Sequence, residues 1–78
     1  MVQEWIIQTL SNRATHQVIL EVHDNYLEKG VIDSFGLMEF IEEIEQNFSI
    51  QFSNSEFSDR RFVTISGLTE IITSKMNA

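Results

Sequence analysis

Apolar residues recur at helical spacing in several stretches of this chain, and each of these stretches predicts a helix. The first covers residues 2 to about 14, where the apolar positions share one face, with Ile7 beside it, and the polar positions point outward. We interpret its tryptophan as a packing residue of that face rather than as a platform for a ligand. The apolar positions of this face are Val2, Trp5, Ile6 and Leu10.

The second stretch, residues 30 to 52, contains the strongest helical pattern of the chain. Its main apolar positions recur at i, i+4, i+7 and i+11, and two further apolar residues, Met38 and Phe40, widen the stripe. The stripe consists of Leu37, Ile41, Ile44 and Phe48, and the opposite side carries Glu39, Glu42, Glu43 and Glu45. We therefore predict a helix with one face in the core and one acidic face.

Two capping patterns predict the helices of the C-terminal third. Ser53 and Glu56 have the spacing of a capping box, which predicts a short helical turn over about 54 to 59, with Phe57 and Phe62 reaching the core. Thr64 is the predicted N-cap of a last helix that ends near Lys75, with Val63 and Leu68 as a hydrophobic staple. The buried stripe of this helix is predicted to be Ile65, Leu68, Ile71 and Ile72.

Residues 15 to 29 form the longest stretch without a helical pattern. Alternating apolar residues around Val18, Leu20 and Val22 suggest a short extended segment, and Tyr26 and Leu27 provide an apolar anchor to the core. A connection of this length is unusual in a compact domain and is often functional. His16 and His23 also lie here, but two histidines seven residues apart without a cysteine are a poor metal signature, so we predict surface histidines and no metal site.

Length and cysteine content restrict the function of the chain. At 78 residues we expect one small domain with one core. The sequence contains no cysteine, which excludes disulfides, thiolate metal sites and a cysteine nucleophile. Any thioester chemistry would therefore need a thiol from a cofactor.

The balance of charges is strongly acidic. Twelve acidic and five basic side chains give a net charge of -7, which argues against nucleic-acid and anionic-membrane partners and favours basic proteins. The basic pair Arg60-Arg61 is interpreted as solvated, because exposed charges contribute little to stability. No apolar run is long enough for a membrane span and no signal-peptide pattern is present, so we expect a cytoplasmic protein.

An Asp-Ser pair lies at the start of the acidic helix. Asp33 and Ser34 are both favoured N-cap residues, able to accept hydrogen bonds from the free N–H groups of the first helical turn. A phosphodiester on Ser34 would lie at the positive end of the helix dipole, beside the same donors. From the residues alone, Ser34 is either a plain N-cap or a serine placed for modification.

The order of features around this pair resembles that of the acyl and peptidyl carrier proteins. It comprises the Gly30 turn, Val31-Ile32, Asp33-Ser34-Phe35-Gly36, the acidic helix and the exit Phe48-x-Ile50-x-Phe52. The resemblance implies an all-α, acyl-carrier-like four-helix bundle with a long first loop and a short third helix, formed by one carrier domain over residues 1-78. It also implies 4'-phosphopantetheine, taken from coenzyme A, on Ser34, with Asp33 assisting the modifying enzyme and Glu39, Glu42, Glu43 and Glu45 docking partners.

Asp-Ser-Phe-Gly and Glu56-Phe57 resemble the D-alanyl and other amino-acid carrier proteins in particular. This resemblance implies a stand-alone, monomeric, non-catalytic carrier that holds an acyl or aminoacyl thioester. Its partners would be a phosphopantetheinyl transferase, an adenylate-forming ligase or acyltransferase, and a downstream acceptor enzyme. Six phenylalanines and Trp5 are available to fill a small core, which favours a small cargo held outside it.

Two other function classes were weighed against the carrier. One is an acidic helical adaptor that is never modified and only binds proteins, and the sequence leaves this alternative open. The other is an enzyme, which is disfavoured because no candidate base faces a nucleophile and no glycine-rich phosphate loop or metal set is present.

Overall fold

The computed structural model describes residues 2–14 and 21–77, and the regular elements within these ranges are helical. They are α1 (Val2–Arg13), α2 (Ser34–Phe48), α3 (Asn54–Phe57), a 3-10 helix (Arg60–Val63) and α4 (Ile65–Met76). The predicted all-α bundle with a short third helix is therefore confirmed.

The helix starts follow the predicted caps. Ser53 and Glu56 form a capping box at α3, in which the Ser53 N–H donates to Glu56 Oε1 at 2.7 Å. At α4, Thr64 Oγ1 accepts the Gly67 N–H at 3.0 Å. The 3-10 helix before α4 was not predicted. It is capped by Asp59, whose carboxylate accepts the Arg61 N–H at 2.9 Å.

The core is built from one stripe of each long helix. All four predicted core residues of α4 are buried. In α2 the centre of the buried stripe is Phe40 with Ile44, whereas Met38 is 66% exposed and was wrongly placed on this face. Residues two apart on an α-helix point about 200° apart, so Met38 cannot share a face with Phe40. The buried core residues are Ile6, Leu10, Tyr26, Val31, Ile32, Phe40, Ile44, Phe62, Ile65, Leu68, Ile71 and Ile72.

Aromatic contacts join α1 to α2. The Trp5 ring stacks on Phe40 with centroids 6.2 Å apart and meets Phe48 edge to face at 5.2 Å. The packing role predicted for Trp5 is thus confirmed. Phe57 meets Phe62 at 5.3 Å but remains 45% exposed, so only Phe62 of this predicted pair is a true core residue.

The loop that precedes α2 is held against the start of α4. Tyr26 is fully buried, its N–H donates to the Val63 carbonyl, and its hydroxyl donates to the Phe62 carbonyl. Burial raises the pKa of Tyr26. Asn25 and Thr64 form a single antiparallel bridge. Tyr26 is therefore the predicted anchor, whereas most of the proposed extended segment around 18 to 22, and His16, lie outside the described residues.

A close approach of backbones fixes α4 against the 3-10 helix. A Cβ atom on Gly67 would lie 2.3 Å from the Arg61 carbonyl oxygen and 2.5 Å from Arg61 Cα. No side chain fits at such distances without a backbone shift. Gly67 is therefore required by packing, a role that the sequence pattern did not indicate.

Candidate functional site

A tight turn brings the chain to the start of α2. Gly30 has a φ of 72°, which glycine adopts without strain, and its N–H donates to the Leu27 carbonyl. The Val31 N–H donates to the Tyr26 carbonyl, which closes the turn in the manner of a Schellman motif. Val31 and Ile32 are then buried, at 5% and 7% exposure, and the next two residues emerge at the surface.

The cap of α2 is provided by Asp33. Its Oδ1 accepts the Gly36 N–H at 2.7 Å, and its backbone is extended, as an N-cap requires. A Cβ atom on Gly36 would lie 3.2 Å from this oxygen, so glycine leaves room for the carboxylate. The two favoured capping residues therefore have different positions, because Asp33 is the cap and Ser34 is the first residue of the helix.

The Ser34 side chain is left exposed at the helix N-terminus. Among the described residues, the Ser34 hydroxyl makes no hydrogen bond. If Ser34 were a plain N-cap, its hydroxyl oxygen would accept a hydrogen bond from a backbone N–H of the first helical turn. The positive end of the helix dipole lies beside this hydroxyl and favours a negative charge there. A covalent phosphodiester arm on Ser34 fits this position without displacing the cap or any core residue.

A cleft of about 390 Å³ lies at the start of α2, and its lining includes both sequence neighbours of Ser34 but not Ser34 itself. This volume is at the lower end for small-molecule pockets. The cleft is bounded by the end of α1, the turn before α2 and the first turns of α2, and its residues are Arg13, Gly30, Val31, Ile32, Asp33, Phe35, Gly36 and Glu39.

The four acidic residues predicted to dock partners have different surroundings. Glu39, Glu42 and Glu43 are all exposed, and two of them, Glu39 and Glu43, also form ion pairs with Arg13. Glu45 is half-buried, and its Oε2 accepts the Phe52 N–H at 2.9 Å. This carboxylate therefore also binds the backbone of the segment that follows α2.

Arg13 was not recognised from the sequence as part of this region. It is the last residue of α1, and its guanidinium donates to Glu39 at 3.2 Å and to Glu43 at 2.5 Å. Partial desolvation lowers the pKa of Arg13, but the hydrogen bonds and charges of Glu43 and then Glu39 more than compensate and raise it. No local sequence signal links residues 26 and 30 positions apart.

Two large apolar side chains are exposed next to Ser34. Phe35 is 82% exposed and Met38 is 66% exposed. They lie one and four residues after Ser34, so Met38 is on the same side of α2 as the serine. Sequence reasoning placed Met38 in the core and therefore missed this surface.

A second cleft, of about 290 Å³, is lined by Trp5, Glu43, Gln46 and Asn47. His23 Nδ1 lies 3.2 Å from Ser66 Oγ, and no group of three metal-ligating side chains occurs among residues 2–14 and 21–77. Within the same residues, no helix is long and apolar enough to cross a membrane.

Comparison with known proteins shows the family to which the chain belongs. The family model described as phosphopantetheine attachment site matches residues 4–72. The search of curated proteins and the search of solved structures found no match. Because the family match covers most of the chain, the protein belongs to the phosphopantetheine-attachment family and is a carrier protein whose covalent cofactor is 4'-phosphopantetheine.

Proposed function

We propose that Ser34 carries the phosphopantetheine arm, and that the protein holds an aminoacyl or other small acyl group on it as a thioester. The observation that carries this proposal is the division of roles at α2, where Asp33 is the cap and the exposed Ser34 hydroxyl is free of described hydrogen bonds. In the transfer, the Ser34 oxygen bonds to phosphorus as the pyrophosphate bond of coenzyme A breaks. The bound arm supplies the thiol that a chain without cysteine lacks.

Asp33 is proposed to assist the modifying enzyme in addition to capping α2. One carboxylate oxygen is engaged by the Gly36 N–H, and the side chain is exposed beside Ser34. Its charge is therefore within reach of an enzyme that approaches the serine.

Partner enzymes are proposed to dock on α2 through both charge and apolar contact. Glu39, Glu42 and Glu43 are exposed, and they lie on the same helix as the exposed Phe35 and Met38. A basic partner surface with an apolar pocket complements this arrangement. Glu45 contributes its negative charge to the same face, although its carboxylate also accepts the Phe52 N–H. The partners would be a phosphopantetheinyl transferase, an adenylate-forming ligase or acyltransferase, and an acceptor enzyme.

The proposal of a small cargo is supported by the packing of the interior. Phe40, Ile44, Phe62 and Leu68 are at most 3% exposed. The Phe52 ring lies 5.3 Å from the Phe62 ring, and Tyr26 donates a hydrogen bond to the Phe62 carbonyl. A long acyl chain between the helices would have to displace these groups, and overpacking of this kind typically costs about 1 to 3 kcal/mol.

The attachment site is tested by arm transfer in vitro. Wild type, Ser34→Ala and the control Ser74→Ala are incubated with coenzyme A and a broad-specificity phosphopantetheinyl transferase, and intact masses are recorded. Wild type and Ser74→Ala should gain one arm, and Ser34→Ala should gain none. Arm addition to Ser34→Ala would refute the assignment, and a wild type that is never modified would favour the unmodified adaptor.

The cargo class is tested by nuclear magnetic resonance. The arm-bearing protein is loaded with an amino acid or with an octanoyl chain, and amide and methyl shifts are compared. Changes confined to the surroundings of Ser34 with either cargo are expected. Large shifts of Ile41, Ile44, Phe62 and Leu68 with the octanoyl chain would show that the chain enters the core, which contradicts a small-cargo carrier.

A further inference from the structure

A single cation bridges two carboxylates of the surface proposed for docking. Arg13 Nη1 lies 3.2 Å from Glu39 Oε1, and Arg13 Nη2 lies 2.5 Å from Glu43 Oε1. Glu39 and Glu43 are one helical turn apart on α2, so one guanidinium reaches both. The glutamate side chains remain 71% and 46% exposed, and the Arg13 side chain is 22% exposed. Both carboxylates can therefore be approached from solvent while Arg13 holds them.

The energetics of this contact suggest that it opens easily. Ion pairs between exposed side chains contribute little to stability, because water and salt screen them. The third guanidinium nitrogen of Arg13, Nε, is buried and its N–H has no hydrogen-bond partner in the described structure, and a buried unpaired donor carries a desolvation cost. The favourable and unfavourable contributions thus oppose each other, and release of Arg13 lets its Nε–H regain hydration.

We propose that Arg13 is an intramolecular competitor for the docking surface, which occupies Glu39 and Glu43 in the free protein and is displaced when a basic partner binds. This inference rests on the proposed function, since it requires that partners use these carboxylates. The guanidinium of Arg13 presents the same chemistry to Glu39 and Glu43 as a partner arginine would. A partner that supplies cations to both carboxylates therefore replaces the contacts that Arg13 loses, and a partner that supplies none does not.

Displacement of Arg13 also alters the cleft at the start of α2. Arg13 and Glu39 are both among the residues that line this cleft, so their ion pair forms part of its wall. When a partner takes the place of Arg13 on Glu39, the guanidinium is free to leave the wall. Docking on the acidic face is in this way coupled to the shape of the cleft that Asp33 and Phe35, the two sequence neighbours of Ser34, help to line.

The proposed competition between Arg13 and a basic partner is tested by the rate of arm transfer at low salt. The variants are Arg13→Gln and the control Arg60→Gln, which removes an exposed cation outside the docking surface and changes the net charge equally. With a broad-specificity phosphopantetheinyl transferase, we expect kcat/KM for Arg13→Gln to exceed that of Arg60→Gln about two- to fivefold, the size of effect that one exposed ion-pair contact supports. The difference should shrink as salt is added, because salt screens both contacts.

A second variant and a second measurement distinguish competition from a loss of structure. Arg13→Lys keeps the charge but places it on a single ammonium, so its rate should fall between those of wild type and Arg13→Gln. In wild type, the Arg13 Nε–H resonance should shift when unlabelled transferase is added without coenzyme A. Equal rates for Arg13→Gln and Arg60→Gln would overturn the proposal that Arg13 competes with partners. An Arg13 Nε–H chemical shift that does not change on addition of transferase would also overturn it. Absence of arm transfer in every variant would instead contradict the proposed function.

Discussion

At the residue scale, the proposed attachment site consists of two neighbours that occupy different positions at the start of α2. Asp33 and Ser34 are equally good capping residues by composition, yet the backbone places Asp33 at the cap and Ser34 in the helix. The residues alone identified both as candidate caps of α2, but could not decide which of the two is the cap. That division depends on the extended backbone of Asp33 after two buried aliphatic residues, Val31 and Ile32.

The two roles of Asp33 can be separated by two substitutions. Asp33→Ala removes the cap and should lower the free energy of unfolding by about 0.5 to 2 kcal/mol, whereas Asp33→Asn keeps a capping oxygen and should change it little. If the charge assists the modifying enzyme, both variants should accept the arm more slowly than wild type. Chemical denaturation and a transfer assay measure the two effects, and a normal transfer rate for Asp33→Asn would limit Asp33 to capping.

Tyr26 gives a prediction about alkaline pH. Burial raises its pKa above the ordinary value of about 10, so its contribution to stability is complete below pH 10 and is lost as pH rises further. Tyr26 is the single tyrosine of the chain, so tyrosinate absorbance reports on it alone. Folded protein should show no tyrosinate at its usual pKa, and ionisation should accompany unfolding. A normal titration of folded protein would contradict the burial.

The hydrogen bond of the same residue is tested by Tyr26→Phe. This variant leaves the Phe62 carbonyl without the Tyr26 hydroxyl, which should lower the free energy of unfolding near neutral pH by about 1 to 3 kcal/mol. The measurement is chemical denaturation of the two proteins. An unchanged stability would show that the loop is held by its other contacts.

At the scale of elements, helical spacing and capping residues predicted α1, α2, α3 and α4 with bounds close to those observed. The elements that were missed depend on contacts between distant parts of the chain. The 3-10 helix (Arg60–Val63) is an example, because it is positioned by Tyr26, by the Asn25 bridge to Thr64 and by Gly67. The Arg13 ion pairs were missed for the same reason. The exposure of Met38, in contrast, follows from helix geometry alone, because residues two apart point to different sides of an α-helix.

Gly67 provides the sharpest test at this scale. An added methyl group would lie 2.3 Å from the Arg61 carbonyl oxygen, so Gly67→Ala should lower the free energy of unfolding by about 1 to 3 kcal/mol, although alanine is the better helix former. The control Ser74→Ala, at an exposed position of α4, should change stability by about 0.5 kcal/mol or less. Urea denaturation of both variants measures the difference. A Gly67→Ala protein as stable as the control would contradict the close approach.

Glu56 links α3 to α4 and makes this contact sensitive to acid. Partial burial tends to raise its pKa, but hydrogen bonds from the Ser53 N–H and from Lys75, which lies 2.9 Å away, lower it overall. Its contribution to stability is therefore fully present above the ordinary pKa of a glutamate, 4.5, and is lost as pH falls below that value. The free energy of unfolding should fall less between neutral and acid pH for Glu56→Gln than for wild type. Equal losses would argue against the lowered pKa.

At the scale of the whole molecule, the net charge of -7 is distributed so that α2 presents acidic side chains near the proposed attachment serine. Reversing Glu39 and Glu43 to lysine should slow arm transfer or loading while leaving helical content nearly unchanged, and added salt should slow the wild type. Reversing Glu4 and Glu70, which are exposed on α1 and α4, changes the net charge equally and should have a smaller effect. Equal rates for both double variants, with no salt dependence, would contradict docking on α2.

The most direct test of the central claim is the mass of this protein isolated from its own host. Fragmentation of the purified protein should locate one 4'-phosphopantetheine on the segment that contains Ser34, and on no other serine. An arm on a different residue would contradict the assignment of Ser34, and a protein that carries no arm under conditions where the host's transferase is active would contradict its function as a carrier.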